Sequence, residues 1–119
     1  MDLTTGAIIA AFVLLLVWRM MPTKGVKQIT TADLKNYLSN TDIQFIDVRT
    51  PGEFKGNHIR QFKNIPLHQL EQKSSTLSKD KDVIVICQSG MRSNNASKVL
   101  KKLGFKSILN VKGGMSAWY

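Results

Sequence analysis

From Ala7 to Trp18 every residue is apolar. After Pro22 no such run recurs, and apolar residues come in short blocks separated by charged or turn-forming ones. Leu3–Gly6 ahead and Met20–Met21 behind extend the first block toward the roughly 20 residues needed to cross a hydrocarbon core as a helix. The pattern predicts a transmembrane anchor over residues 1–21, touching lipid through residues 3–21. Trp18 and Arg19 suit its interfacial end, where an indole is favoured and a long cation can snorkel. A buried helix apolar on all sides needs a larger core than the remaining chain supplies. A cleaved leader wants a basic start and a small-residue cleavage site. This chain starts with Asp2 and carries Trp18-Arg19-Met20-Met21-Pro22 instead.

Residues 22–26, with Pro22 and Gly25, read as a linker, and residues 27–119 as one domain. Val26–Ile29 predicts a short strand. Thr30-Thr31-Ala32-Asp33 resembles a capping box, with Leu34, Tyr37 and Leu38 at helical spacing behind it. Ile43–Val48 predicts a strand, Pro51-Gly52-Glu53-Phe54 a helix start, and Asn64-Ile65-Pro66 a brief extended piece. Leu67–Lys73 predicts a short helix and Lys79–Asp82 a charged turn. Val83-Ile84-Val85-Ile86 is the strongest strand signal, as expected where both faces are covered. Ala96, Val99, Leu100 and Leu103 mark an amphipathic helix that Gly104 stops. Ser107–Val111 predicts a last strand, and Gly113-Gly114 leads to a short helix with Trp118 in the core. Strand–helix alternation argues for an α/β fold with a small parallel sheet and helices on both faces.

Charge adds orientation. The net charge is +9, yet Lys and Arg are spread without aromatic interleaving, which argues against a nucleic-acid partner and for proximity to anionic headgroups. Arg19, Lys24 and Lys27 all follow the apolar run. The positive-inside rule then gives a single-pass protein of the cell membrane with its C-terminal domain in the cytoplasm. That compartment keeps the single cysteine, Cys87, reduced.

Cys87 follows the strongest strand and opens Cys87-Gln88-Ser89-Gly90-Met91-Arg92, which runs directly into the helix. Such a loop can aim several backbone N–H groups at the space above the sulfur, and the helix start adds partial positive charge. Both favour the thiolate. Arg92 adds an anion contact or a clamp on the loop. Cys87 is the candidate nucleophile, and Gln88, Ser89, Gly90, Met91 and Arg92 are the candidate binding loop. Buried cysteines are more often inert small hydrophobes, which is the plain alternative. Ligands of parallel sheets bind beyond the carboxyl ends of the strands, where this loop lies.

These residues resemble the rhodanese-like (sulfurtransferase) family. Asp47-Val48-Arg49-Thr50-Pro51-Gly52-Glu53-Phe54, His58-Ile59, Asn64-Ile65-Pro66, the Cys87–Ser93 loop, Leu103-Gly104-Phe105 and Gly113–Trp118 follow its motifs in order. Asn57 stands where the family usually has Gly, and Arg60-Gln61-Phe62-Lys63 replaces a Pro-Gly-Ala-like stretch. The resemblance implies a small α/β domain and ping-pong transfer of sulfane sulfur. Cys87 would take the outer sulfur of a thiosulfate-like donor and pass it from a persulfide to a thiol or cyanide.

Asp47 and Arg49, at i and i+2, share a strand face and suit a structural ion pair or loop brace. Glu53 suits a second brace, to a backbone amide or a basic side chain. Under the resemblance His58 packs and hydrogen-bonds, while His68 is expected to be exposed. No second Cys or His pair at metal spacing is present, so neither metal nor cofactor is expected. Two other functions compete: a non-catalytic rhodanese-like module that recruits proteins at the membrane, and a cysteine phosphatase. The phosphatase loop has five residues between Cys and Arg where this chain has four.

Overall fold

The computed structural model describes residues 2–20 and 24–118, without the side chains of residues 19 and 20. Helix α1 spans Leu3–Met20. Strands β1 (Lys27–Ile29), β2 (Gln44–Asp47), β3 (Lys63–Asn64), β4 (Val83–Ile86) and β5 (Ile108–Val111) form one sheet in the order β1-β5-β4-β2-β3. All its pairings are parallel. Helices α2 (Thr31–Tyr37), α3 (Pro51–Gly56), α4 (Leu70–Lys73) and α5 (Met91–Lys102) join the strands. The expected α/β fold with both faces covered is present.

Strand alternation divides the core in two. Ile84 and Ile86 point to a cluster with Leu34, Phe45, Ile59, Phe62, Leu109 and Val111, and partly buried Phe54 and Trp118 pack on it. Val83, Val85 and Cys87 point the other way, to Ile46, Val48, Leu70, Ala96 and Leu100. The Cys87 side chain thus lies on the α5 face.

Sequence and structure differ at the helix after Pro66 and at the anchor. The helix expected over Leu67–Lys73 begins as a 3-10 turn, Leu67–Gln69, and becomes α-helical only from Leu70. Pro66, which offers no side-chain cap, precedes it. The second difference is the anchor. Among the described residues no helix is long and apolar enough to cross a membrane. The 18 residues of α1 rise about 27 Å. That is short of a hydrocarbon core of about 30 Å, and the first turn is Leu3-Thr4-Thr5-Gly6. Met21 and the linker residues Pro22 and Thr23 lie outside the described residues. The helix is nevertheless almost wholly exposed, including Ile8, Phe12, Leu14 and Trp18.

Candidate active site

The sheet order creates the site. The chain leaves β2 toward β3 on one side and leaves β4 toward β5 on the other. Between two such departures a crevice opens at the carboxyl edge. The ends of β2 and β4 supply Asp47, Arg49 and Cys87 to it.

Cys87 is 1% exposed. Its Sγ accepts the Gly90 N–H at 3.0 Å, and its thiol donates to Ser93 Oγ at 3.3 Å. Ser93 Oγ in turn donates to the Gly90 carbonyl at 3.1 Å. Of the expected ring of amides, one reaches the sulfur, and a buried serine hydroxyl completes the contact. Gly90 turns the loop at φ 111°, in the left-handed region that favours glycine. The first helical bond of α5 runs from the Asn94 N–H to the Gly90 carbonyl, so the amides of the first turn precede the helical ladder.

The loop is supported from behind by a 3-10 turn, Gly114–Ala117. Met115 N–H donates to the Cys87 carbonyl and Ser116 N–H to that of Gln88, both at 2.8 Å. Gly114 has φ 57°, and a Cβ there would collide with the Cys87 carbonyl. Gly114 therefore lets the turn buttress the loop, a contact between segments 27 residues apart that local sequence pattern does not signal.

The two arginines of the motifs have different surroundings. Arg49 is 3% exposed, and Asp47 is fully buried. Arg49 Nε donates to Asp47 Oδ1 at 3.0 Å and its Nη2 to Oδ2 at 2.8 Å. Nη2 also donates to the Asn57 carbonyl at 2.6 Å, and Nη1 to the Glu53 carbonyl and Gln88 Oε1 at 3.4 and 3.3 Å. The five guanidinium donors are thereby all engaged. Arg49 is a brace, tying β2 to α3 and to the loop. Asn64 extends it, with Nδ2 donating to the carbonyls of Asp47 and Arg49. Asn57 has φ −169°, extended backbone open to any residue, so glycine is not needed there.

Arg92 is half-buried. Its Nη1 and Nη2 donate to the two Glu53 carboxylate oxygens at 2.6 and 2.9 Å. Three N–H donors remain, and Arg92 lines a cavity of about 350 Å³ with Val48, Thr50, Pro66, Leu67 and His68. Glu53 also closes a capping box on Thr50. Arg92, then burial working in the opposite sense, then Thr50 act on its carboxyl, whose pKa falls to about 2. The same hydrogen bonds hold the Arg92 guanidinium above its usual range, and the Cys87 sulfur adds to that shift.

Gln88, Ser89 and Met91 are exposed on the loop. Gln88 joins it to Arg49 and, through Nε2, to Ser116 Oγ at 3.3 Å. His58 stacks on Phe54 and bonds its carbonyl through Nδ1 at 2.8 Å, a packing role, and His68 is exposed. Among the described residues no group of three or more His, Cys, Asp or Glu side chains could hold a metal ion. Ser93 was missed as a site residue; it lies one position past Arg92, and the helical turn returns it to Cys87.

The Rhodanese-like domain pattern matches residues 30–119. The sulfurtransferase of Allochromatium vinosum is 35% identical over 94 residues, which cover 78% of this chain and 88% of that protein. Bacillus subtilis YqhL is 47% identical over 75 residues, 63% of this chain and 60% of its own length. A rhodanese-like domain protein from Staphylococcus aureus superposes with TM-score 0.73 at 34% identity, over 79% of this chain and 92% of that one. The match spans most of the chain, and the chain belongs to the rhodanese-like domain family.

Proposed function

We propose that the protein is a sulfurtransferase that carries sulfane sulfur on Cys87. The carrying observation is the Gly90 N–H directed at Cys87 Sγ at 3.0 Å in a loop closed by a cationic Arg92. Cys87 thiolate attacks the outer sulfur of a thiosulfate-like donor, a Cys87 S–S bond forms, and sulfite leaves with the electron pair of the broken bond. Ser93 Oγ–H can turn from the Gly90 carbonyl to donate to the sulfur once the thiol proton has gone. The free donors of Arg92 suit the oxyanion end of the donor, and the loop amides suit the charge on the outer sulfur. A thiol or cyanide then removes that sulfur.

The membrane assignment is part of the same proposal. An 18-residue helix exposing Ile8, Phe12, Leu14 and Trp18 is suited to lipid rather than water. Local bilayer thinning accommodates a segment a few ångströms short. The basic residues after it put the domain of residues 27–119 on the cytoplasmic side of the cell membrane.

Incubation of the full chain with thiosulfate and cyanide tests the chemistry. Thiocyanate is expected from the wild type and not from Cys87→Ser. No thiocyanate from either protein would support the non-catalytic recruiting module instead, and hydrolysis of an aryl phosphate would support the phosphatase.

A further inference from the structure

A second cavity, of about 880 Å³, lies behind the Ser89-Gly90-Met91 segment, between the end of α1 and the exposed side of α5. Its walls differ in character. Leu16 and Trp18 of α1 and Met91 of the loop are apolar and exposed. Lys98 of α5 and Lys112 after β5 are basic and exposed, and no Asp or Glu lines the cavity. The floor is a neutral pair, in which Asn110 Nδ2 donates to Gln28 Oε1 at 2.9 Å. Outside α1, Met91 is the one large hydrophobic side chain among the described residues that is exposed, at 67%. Helical spacing extends the basic wall. Met91, Asn95, Lys98 and Lys102 stand at i, i+4, i+7 and i+11 on one exposed stripe of α5, a helix without Asp or Glu.

We propose that this cavity takes the headgroup of an anionic phospholipid from the membrane that holds α1, with Met91 dipping into the same layer. The inference rests on the membrane assignment above. An indole is favoured at the interfacial level of a bilayer, so Trp18 sets the depth of the wall opposite it. Lys98 and Lys112 then stand among the headgroups of the cytoplasmic leaflet, whose negative surface attracts lysines next to a spanning segment. A lipid matches both walls at once. Its glycerol and upper acyl portion suits Leu16, Trp18 and Met91, and its phosphate suits the two ammonium groups.

The consequence for the domain is its orientation. Gly90 belongs both to the cavity wall and to the cradle of Cys87 Sγ, so the bound lipid holds the Cys87 loop against the membrane face. The smaller cavity beside Arg92 shares no lining residue with this one, and a lipid here leaves it free.

The test floats the full chain with vesicles of phosphatidylcholine, alone or with added phosphatidylglycerol, and acetylates its lysines with a water-soluble reagent read by peptide mass spectrometry. Lys55 on α3 and Lys63 on β3, the sheet edge opposite β1, are the internal references. Relative to them, Lys98 and Lys112 are expected to react about tenfold more slowly on the anionic vesicles than on the zwitterionic ones. High salt should remove that protection. Met91 should be shielded from hydroxyl-radical oxidation on the anionic vesicles, and the shielding should be lost in K98E/K112E, a surface variant that leaves the core untouched. Equal labelling of the four lysines on anionic vesicles would overturn the headgroup site, and so would the same protection by inorganic phosphate without vesicles. Flotation with phosphatidylcholine alone reads the anchor separately. A chain that floats only with anionic vesicles, and not as K98E/K112E, would remove the anchor and still support the site. A chain that floats with neither would overturn both.

Discussion

Two arginine–carboxylate pairs flank the same loop and are built for different work. Asp47–Arg49 is buried at 0% and 3% exposure, and all of its guanidinium donors are engaged. Glu53–Arg92 is about one-third exposed on both sides, and three Arg92 donors remain unengaged. The first pair has no capacity left for a ligand and can only hold the fold; the second couples the loop to α3 while keeping charge available beside a cavity. Exposure and donor saturation, more than residue type, separate the buried brace from the pair that faces the cavity.

Breaking the buried pair should have the largest effect on stability. Asp47→Ala leaves the Arg49 guanidinium buried without its carboxylate, and breaking such a pair costs about 3–5 kcal/mol. Urea unfolding of the full chain should show a correspondingly earlier midpoint. A midpoint within experimental error of the wild type would mean that Arg49 is not a brace.

Gly114→Ala tests the rear support of the Cys87 loop. The left-handed backbone alone costs a non-glycine residue about 1–2 kcal/mol, and the added methyl meets the Cys87 carbonyl. Stability should fall by at least that amount, with sulfur transfer falling further because the loop is displaced. Equal stability and activity would contradict the close approach.

Arg92→Ala sharpens the comparison from the other side. A pair this exposed contributes about 0–1 kcal/mol, so unfolding should barely move. Transfer from thiosulfate should nevertheless drop roughly 100-fold, as when a donor to developing charge is removed. A large loss of stability with little loss of rate would reverse the assignments of the two arginines.

The smallest effect is on pH dependence. Glu53 has its carboxyl lowered from the ordinary 4.5 to about 2. A lowered folded-state value contributes stability that is fully present above 4.5 and is lost as pH falls through about 2. Exposure of about one-third keeps the contribution modest. Glu53→Gln should flatten the stability profile across that interval, and a profile identical to wild type would remove the pair from the acid transition.

Much of the frame was legible in the chain. Val83–Ile86 could only be a strand covered on both faces, and the Thr30–Asp33 box opens α2 as its spacing requires. The brace role of Asp47 and Arg49 follows from i, i+2 placement on a strand end, and Glu53 does bond both a backbone amide and Arg92. The contrast between the arginines was not legible. It depends on contacts such as Arg92–Glu53 and Arg49–Gln88, each 39 residues apart in sequence, that only the sheet order brings together. The Gln28–Asn110 pair, 82 residues apart, was hidden for the same reason.

Intact-mass analysis of the full chain after exposure to thiosulfate reads the central step directly. The account predicts a gain of about 32 Da, one sulfur atom, on Cys87. The gain should be reversed by cyanide and absent from Cys87→Ser. An unchanged mass in the folded wild-type protein, or the same gain in the serine variant, would contradict it.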